Sequence, residues 1–125
     1  MRTENLLSIR PQLDLPSPED QSPIERFQNN TLRPILKLQH PITLRMLTDD
    51  KNFSKQLSQF QTKEQLHNGI TSFVNRNKAF RSQIIGCLLG MMTEEEHQIY
   101  RMDYSEYNKR MITMQIQRYV DSMKI

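Results

Sequence analysis

Glu94 and His97 are the residues of this chain whose types and spacing come closest to metal chemistry. Residues three apart lie on one helix face, so the pair can offer a carboxylate and an imidazole to one ion. Di-iron helical bundles need two such pairs and two further inward glutamates, and the chain has one pair. Acids in a first helical turn also complement the helix dipole. We therefore predict no metal, no cofactor and no catalytic residue, and an enzyme using Glu94 and His97 is the least favoured hypothesis.

A basic cluster offers electrostatic chemistry instead. Arg76, Lys78 and Arg81 stand at the start of a predicted helix, where cations oppose the helix dipole, and Glu94–Glu96 are candidates to compensate them. Residues 26–81 carry ten basic and three acidic residues, whereas residues 94–106 have a net charge of −4. This asymmetry suits an acidic partner or head-to-tail contact between copies, and it is also compatible with an ordinary solvated surface.

Cys87, Gly86 and Gly90 lie in the most apolar stretch of the chain. A single cysteine cannot form an internal disulfide, so we predict that Cys87 is a small buried apolar residue. Glycines four apart expose the backbone on one helix face and let another helix approach closely. Gly86 and Gly90 are therefore a candidate helix-packing seam, either within the domain or between two copies.

The elements that must position these residues are helices, because apolar side chains recur at three- and four-residue steps and no alternating strand pattern occurs. Thr93 with Glu96, and Thr62 with Gln65, fit capping boxes. Ser22-Pro23 predicts a further helix start. Asn77 is the predicted cap of a helix at 78–92. The predicted fold is all-α, a small bundle of about five helices.

Prolines and apolar content set the predicted organisation. Residues 1–22 contain three prolines and form a flexible or extended N-terminal arm, and residues 23–125 form the helical domain. Pro34 and Pro41 are predicted to interrupt the first long helix. The 78–92 helix is predicted at the centre of the bundle, and Ile99 and Tyr100 are predicted to face inward.

Three segments, RFQNNTLRPILKLQH, KAFRSQIIGCLLGMMTEEEHQIY and SEYNKRMITMQIQR, resemble a small family of uncharacterised bacterial helical proteins. The resemblance covers about residues 24–122, and its distinctive pieces run from Phe27 to Pro34 and from Gly90 to Tyr100. Some members of that family carry a glyoxalase label. Glyoxalases of the vicinal-oxygen-chelate type are built from βαβββ modules with His and Glu ligands on strands, and this chain shows neither. The resemblance implies a compact helical domain and carries over no activity.

The sequence predicts a non-enzymatic helical interaction or regulatory module that acts through a protein partner or as a homodimer. The N-terminus lacks an apolar stretch long enough for a signal peptide, and no apolar run approaches the length of a membrane span, so we expect a cytoplasmic protein with no membrane contact. The alternative is a nucleic-acid-binding or ribosome-associated protein that uses the basic region 26–81. No small-molecule substrate is indicated.

Overall fold

The computed structural model describes residues 1–13 and 21–124, and in that part of the chain it is 81% helical without strands. The elements are α1 (Arg2–Ile9), α2 (Pro23–Phe27), a π-helical turn (Gln28–Leu32), α3 (Arg33–Thr48), α4 (Lys51–Leu57), α5 (Lys63–Arg76), α6 (Lys78–Leu89), α7 (Glu94–Met102) and α8 (Tyr104–Ser122). Because α2, the π turn and α3 are continuous, the described residues form seven separate helices. The all-α class is confirmed, and the predicted number of about five is too low.

The helix starts at Ser22 and Thr93 follow the predicted capping chemistry. The Ser22 side chain accepts a hydrogen bond from the Glu25 backbone N–H, and Pro23 occupies the first helical position. Thr93 Oγ1 accepts from the Glu96 backbone N–H at 3.1 Å, while Glu96 Oε1 accepts from the Thr93 N–H at 2.9 Å. Each contact satisfies a backbone donor that the first helical turn leaves free. These two boundaries are confirmed.

Two other predicted caps differ in detail. Thr62 Oγ1 accepts from the Gln65 N–H, but Gln65 Oε1 accepts from the backbone N–H of Gln61, so this capping box is only half formed. Asn77 stands at the start of α6 without capping it, because its Nδ2 donates to the carbonyl of Phe73 in α5. Asn77 therefore closes the preceding helix.

The prolines are accommodated within a continuous helix. In the π turn, the Arg33 N–H donates to the carbonyl of Gln28, five residues back. This wider turn lies directly before Pro34, which has no N–H to donate to Asn30, so the predicted irregularity occurs one turn early. The predicted interruption at Pro41 is wrong, since α3 continues through it to Thr48.

Helices α8 and α3 form the centre of the bundle. α8 packs against α3, α5, α6, α7 and the π turn, and α3 packs against α4, α6 and α8. The buried residues of α8 are Tyr107, Met111, Ile112, Gln115, Ile116, Tyr119 and Val120. α6 buries Phe80, Ile84 and Leu88, and Cys87 is only half-buried. The prediction that the 78–92 helix is central is therefore wrong, because general apolarity is a weaker guide than a continuous buried face.

The N-terminal segment contains a helix, although the arm is predicted to be extended. α1 has no buried residue, so packing contributes little to holding it in place. Polar contacts tie it to the domain: Arg2 donates to the Gly90 carbonyl at 3.2 Å, and Arg10 binds Glu96. The prolines at 16 and 18, on which part of the arm prediction rests, lie outside the described residues.

Candidate functional sites

A cavity of about 530 Å³ lies between α3, α5 and α8. Its lining combines apolar, hydroxyl, amide and charged side chains: Arg33, Leu36, His67, Thr113, Met114, Gln117, Arg118, Asp121 and Ser122. The α8 residues repeat at the three- and four-residue spacing that places them on one helix face. That face is turned away from the buried face, so α8 contributes one face to the core and another to the cavity.

Two guanidinium groups dominate the electrostatics of this cavity. Burial and the neighbouring charge of Arg33 lower the pKa of Arg118, and Asp121 partly opposes that effect. Arg33 Nε donates to Asn29 Oδ1 at 2.9 Å, and Asp121 accepts from Gln117 Nε2 at 2.9 Å. Within the described residues neither arginine has a carboxylate oxygen within 4.0 Å. Two half-buried like charges therefore face one cavity.

His40 and Ser122 form a side-chain contact at the edge of the cavity. His40 Nε2 lies 2.6 Å from Ser122 Oγ, and Ser122 Oγ donates to the carbonyl of Arg118 at 2.8 Å. A neutral His40 ring with its proton on Nε2 is compatible with both contacts, because the hydroxyl can then donate its one proton to the carbonyl. Burial and then the charge of Arg118 lower the pKa of His40, which favours the neutral ring.

This His-Ser pair lacks the features of a hydrolase nucleophile. A histidine that activates a serine accepts the hydroxyl proton and is oriented by a third group on its other nitrogen. Here the hydroxyl also has the Arg118 carbonyl as an acceptor, and the buried Nδ1 of His40 has no hydrogen-bond partner among the described residues. The pair instead ties the end of α8 to α3.

Cys87 takes part in a second polar contact between α3 and α6. Gln39 Nε2 donates to the Cys87 carbonyl at 3.0 Å and approaches Sγ at 3.4 Å. Burial raises the pKa of the thiol, and the contact with Gln39 partly opposes this. Since thiolate is the reactive form of cysteine, this environment does not activate Cys87.

Glu94 and His97 line one cleft of about 400 Å³, together with Arg2 and Arg101. The predicted proximity of the carboxylate and the imidazole is therefore present. Two arginines at the same cleft are unfavourable neighbours for a cation. Among the described residues no group of three or more His, Cys, Asp or Glu side chains could hold a metal ion.

Glu96 binds the N-terminal segment rather than the basic cluster. Arg10 forms a bidentate ion pair with Glu96 at 2.6 and 2.9 Å and also donates to the Met91 carbonyl. The two side chains are 8% and 15% exposed. Burial raises the pKa of Glu96, but hydrogen bonds from Arg10, Thr93 and Thr31 and the charge of Arg10 outweigh it and lower the pKa overall.

The predicted surface residues lie near the junction of α5 and α6 and at the end of α6. Arg76 and Lys78 are exposed, Arg81 is half-buried, and none of them forms an ion pair within residues 1–13 and 21–124. Gly86 is exposed, and a Cβ built there would meet no atom within 4 Å, so no described helix of this chain packs on it. Gly90 is exposed as well, and contact of this pair with a second copy stays a prediction.

An apolar corner is formed by Ile99, Met102 and Tyr104, which are 43%, 85% and 61% exposed. The prediction that Ile99 faces inward is wrong, whereas Tyr100 is buried as predicted, because α7 packs along a single narrow face. Beside this corner lies a cleft of about 400 Å³ lined by Pro23, Arg26, Phe27, Asn30, Thr31, Ile99 and Tyr107.

Comparisons with protein-family models, with curated proteins and with solved structures find no match to this chain. The resemblance described from the sequence therefore stays a prediction. No helix in the described ranges 1–13 and 21–124 combines the length and the hydropathy needed to cross a membrane.

Sequence reasoning missed the cavity around Arg33 and Arg118. The two arginines lie in different helices, and helical periodicity alone does not say which outer faces meet. The available signal was the spacing of Thr113, Gln117 and Asp121, a polar stripe at four-residue steps on an otherwise strongly buried helix.

Proposed function

We propose that this protein is a non-enzymatic interaction module of the cytoplasm that acts by docking a protein partner on the apolar corner. The observation that carries the proposal is the exposure of Ile99, Met102 and Tyr104 next to a cleft lined by Phe27 and Tyr107. Ile99 and Met102 are three residues apart and share one face of α7. Exposed apolar side chains beside a cleft are the usual anchor points of a protein interface.

Charge favours a different protein over a second copy at this corner. Glu96 and Glu106 are neutralised by ion pairs with Arg10 and Arg110. The other acids of residues 94–106, which are Glu94, Glu95 and Asp103, are exposed and outnumber the one basic residue of this stretch, Arg101. A symmetric dimer through α7 would bring these carboxylates together, which costs affinity. We therefore expect a partner segment with apolar anchor side chains and basic flanks.

Site-specific photocrosslinking tests this proposal in cells. Met102→p-benzoylphenylalanine is expected to give one discrete adduct with another protein, and adding Ile99→Asp is expected to weaken that interaction about tenfold or more. Gln56→p-benzoylphenylalanine, at an exposed position of α4, is the matched control. Circular dichroism checks that Ile99→Asp leaves the fold intact.

The outcomes separate partner docking from its alternatives. An adduct that is specific to position 102 and sensitive to Ile99→Asp supports the proposal. The same adducts from position 56, or none from position 102, contradict it. An adduct with a second copy, together with a dimer in sedimentation at micromolar concentration, identifies self-association instead.

The second candidate is binding to nucleic acid, including a ribosome-associated role, through the basic region 26–81. The observation in its favour is the exposure of Arg76 and Lys78 beside the half-buried Arg81, without ion pairs in the described residues. Cations that neutralise phosphates release counterions, so affinity falls steeply with salt.

A salt titration with a short RNA tests this candidate. Replacing Arg76, Lys78 and Arg81 by Ala is expected to reduce the slope of log affinity against log salt by about two to three. The matched control replaces three exposed basic residues outside this region, Arg101, Lys109 and Lys124, by Ala. Equal losses in both triple variants, or affinity that does not depend on salt, contradict a site at the α5–α6 junction.

A further inference from the structure

We propose that the cavity between Arg33 and Arg118 binds a small phosphorylated molecule. Its phosphate group lies between the two guanidinium groups, and its uncharged part lies against Leu36 and Met114. This site is separate from the apolar corner and from the cluster at Arg76, so the proposal is independent of both proposed functions.

The charge of this lining is unbalanced. Arg33 and Arg118 line one cavity without a carboxylate within ion-pair distance in the described part of the chain, and burial and the charge of Arg33 lower the pKa of Arg118. Guanidinium groups remain protonated in proteins, so the repulsion between them persists. An anion placed between them converts this repulsion into two favourable interactions.

The two arginines carry hydrogen-bond donors that no described residue uses. Arg33 uses its Nε to bind Asn29. Its Nη atoms, and the side chain of Arg118, make no hydrogen bond to described residues. A guanidinium offers up to five N–H donors in a planar fork, which matches the oxygen geometry of a phosphate. The pair therefore offers several charge-assisted donors to one group.

The remaining lining offers both apolar and hydrogen-bonding contact to an uncharged organic part. Two of the nine lining residues are apolar, and Met114 is the more accessible of them because Leu36 is 1% exposed. Thr113 and Gln117 supply hydrogen-bonding groups. A volume of about 530 Å³ falls within the range of small-molecule sites, about 300–1,000 Å³.

Asp121 is the one carboxylate of the lining, and it opposes an anion only weakly. It is exposed and accepts a hydrogen bond from Gln117, so it lies toward solvent. Burial and the charge of Arg118 lower the pKa of His40, whose Nε2 contacts Ser122 Oγ at the cavity edge. Two cations therefore face one solvated acid, which leaves the cavity positive.

Titration by two-dimensional NMR with two probes, inorganic phosphate and phenyl phosphate, tests the site. At constant ionic strength both probes are expected to bind saturably and to shift the backbone amides of Arg33, Gln117 and Arg118. Phenyl phosphate is expected to bind about threefold tighter or more, because its ring covers apolar lining. Arg33→Gln and Arg118→Gln each remove a charge-assisted contact, so each is expected to weaken the binding of phenyl phosphate about tenfold or more.

The matched control is Arg45→Gln, an exposed arginine of the same helix as Arg33, which is expected to keep the affinity within about twofold. Without anion and at low salt, Arg118→Gln is expected to unfold at the same or a higher temperature than the unmodified chain, because it removes a repulsion and no side-chain hydrogen bond to a described residue. A lower unfolding temperature would show that Arg118 serves the fold, and it would overturn the proposal.

Three further outcomes overturn it as well. These are the absence of saturable shifts, equal weakening in Arg45→Gln, and phosphate binding that survives in both cavity variants. Binding of a short oligonucleotide that is lost on changing Arg76, Lys78 and Arg81, combined with no phosphate binding in the cavity, places anion recognition on the surface cluster instead.

Discussion

Gly69 and Gly86 lie inside α5 and α6 and meet opposite surroundings. A Cβ at Gly69 would overlap the ring of Phe60, which is half-buried over this glycine, whereas a Cβ at Gly86 would meet open space. Alanine favours a helix over glycine by about 1 kcal/mol at either position. At Gly69 that gain is opposed by a steric cost of about 1–3 kcal/mol, because the ring must leave its place against Phe53.

We predict that Gly86→Ala raises the free energy of unfolding by up to about 1 kcal/mol and that Gly69→Ala lowers it by up to about 2 kcal/mol. Thermal and urea unfolding followed by circular dichroism measure both. In a Phe60→Ala background the clash is gone, so Gly69→Ala should then be stabilising. Equal stabilisation by the two single substitutions would show that the Phe60 ring moves away without cost.

At the residue scale, sequence reasoning locates side chains on a helix face but does not find their partners. The spacing of Leu66, Ile70 and Phe73 correctly identifies the inner face of α5. The same spacing does not place Phe60 over Gly69, because that contact depends on the path of the α4–α5 connection. Gln115 is a further example: it lies on the buried face of α8, and neither its amide nitrogen nor its oxygen has a described partner.

Helix α1 illustrates how a few polar contacts, chiefly the Arg10–Glu96 ion pair, hold an element that has no buried side chain. Its end is fixed by Arg10, whose side chain is 8% exposed in the contact with Glu96. Removing one member of a buried ion pair costs about 3–5 kcal/mol when the other stays buried. Arg10 can avoid that cost by returning to water, which requires only that the N-terminal segment detach.

We predict that Glu96→Gln releases α1 while the bundle remains folded. A detached eight-residue helix is unstable in water, so the amides of residues 2–10 should exchange hydrogen about tenfold faster or more. Glu95→Gln, an exposed neighbour in the same helical turn, is the control and should leave their exchange unchanged. Unchanged protection in Glu96→Gln would mean that contacts other than this ion pair hold the segment.

At the element scale, helix starts are the best predicted features because a cap is a local interaction. Ser22 and Thr93 were identified from a few neighbouring residues, and both are observed. Features that depend on residues far apart in the sequence were not predicted. Arg10 and Glu96 lie 86 residues apart in the chain, and the helix that continues through Pro41 packs against α6 and α8, which are distant in the sequence.

The stability of the whole molecule should depend on pH through His40. Its folded-state pKa lies below the ordinary value because of burial and the charge of Arg118, and its ring also lies against Tyr119. In the unfolded chain a histidine titrates near 6.5. The unfolded state therefore binds more protons as the pH falls through that value, and stability decreases.

We predict that the urea midpoint falls between about pH 7.5 and pH 5, and that His40→Gln makes this decrease smaller. Glu96 contributes with the same sign, but its effect begins only near the ordinary carboxyl pKa of about 4.3, below this window. His97→Gln controls for the removal of an exposed imidazole. The same pH dependence in His40→Gln and the unmodified chain would contradict the assignment.

At the scale of the whole molecule, the sequence predicts the class and not the arrangement. The three- and four-residue spacing of apolar side chains, together with the caps, indicates a helical domain. The central position of α8 becomes clear only from the structure, where this helix has seven buried residues and packs against several other helices. The outer faces of the helices are harder still to predict, because Arg33 and Arg118 become neighbours only after α3 and α8 have packed. Candidate sites built between helices are therefore the part that periodicity does not supply.

The π turn gives the chain a way to redirect one surface by changing its length. A π turn holds one more residue than the α-turn it replaces, so everything before it is rotated by about 100° relative to an unbroken helix. That rotation directs Phe27 toward Tyr107, at a ring-centroid distance of 4.8 Å, and thereby shapes the cleft beside Ile99. Deleting or inserting a single residue in this stretch would rotate Pro23 and Phe27, which line the cleft, about the helix axis while leaving α3 in register with the core.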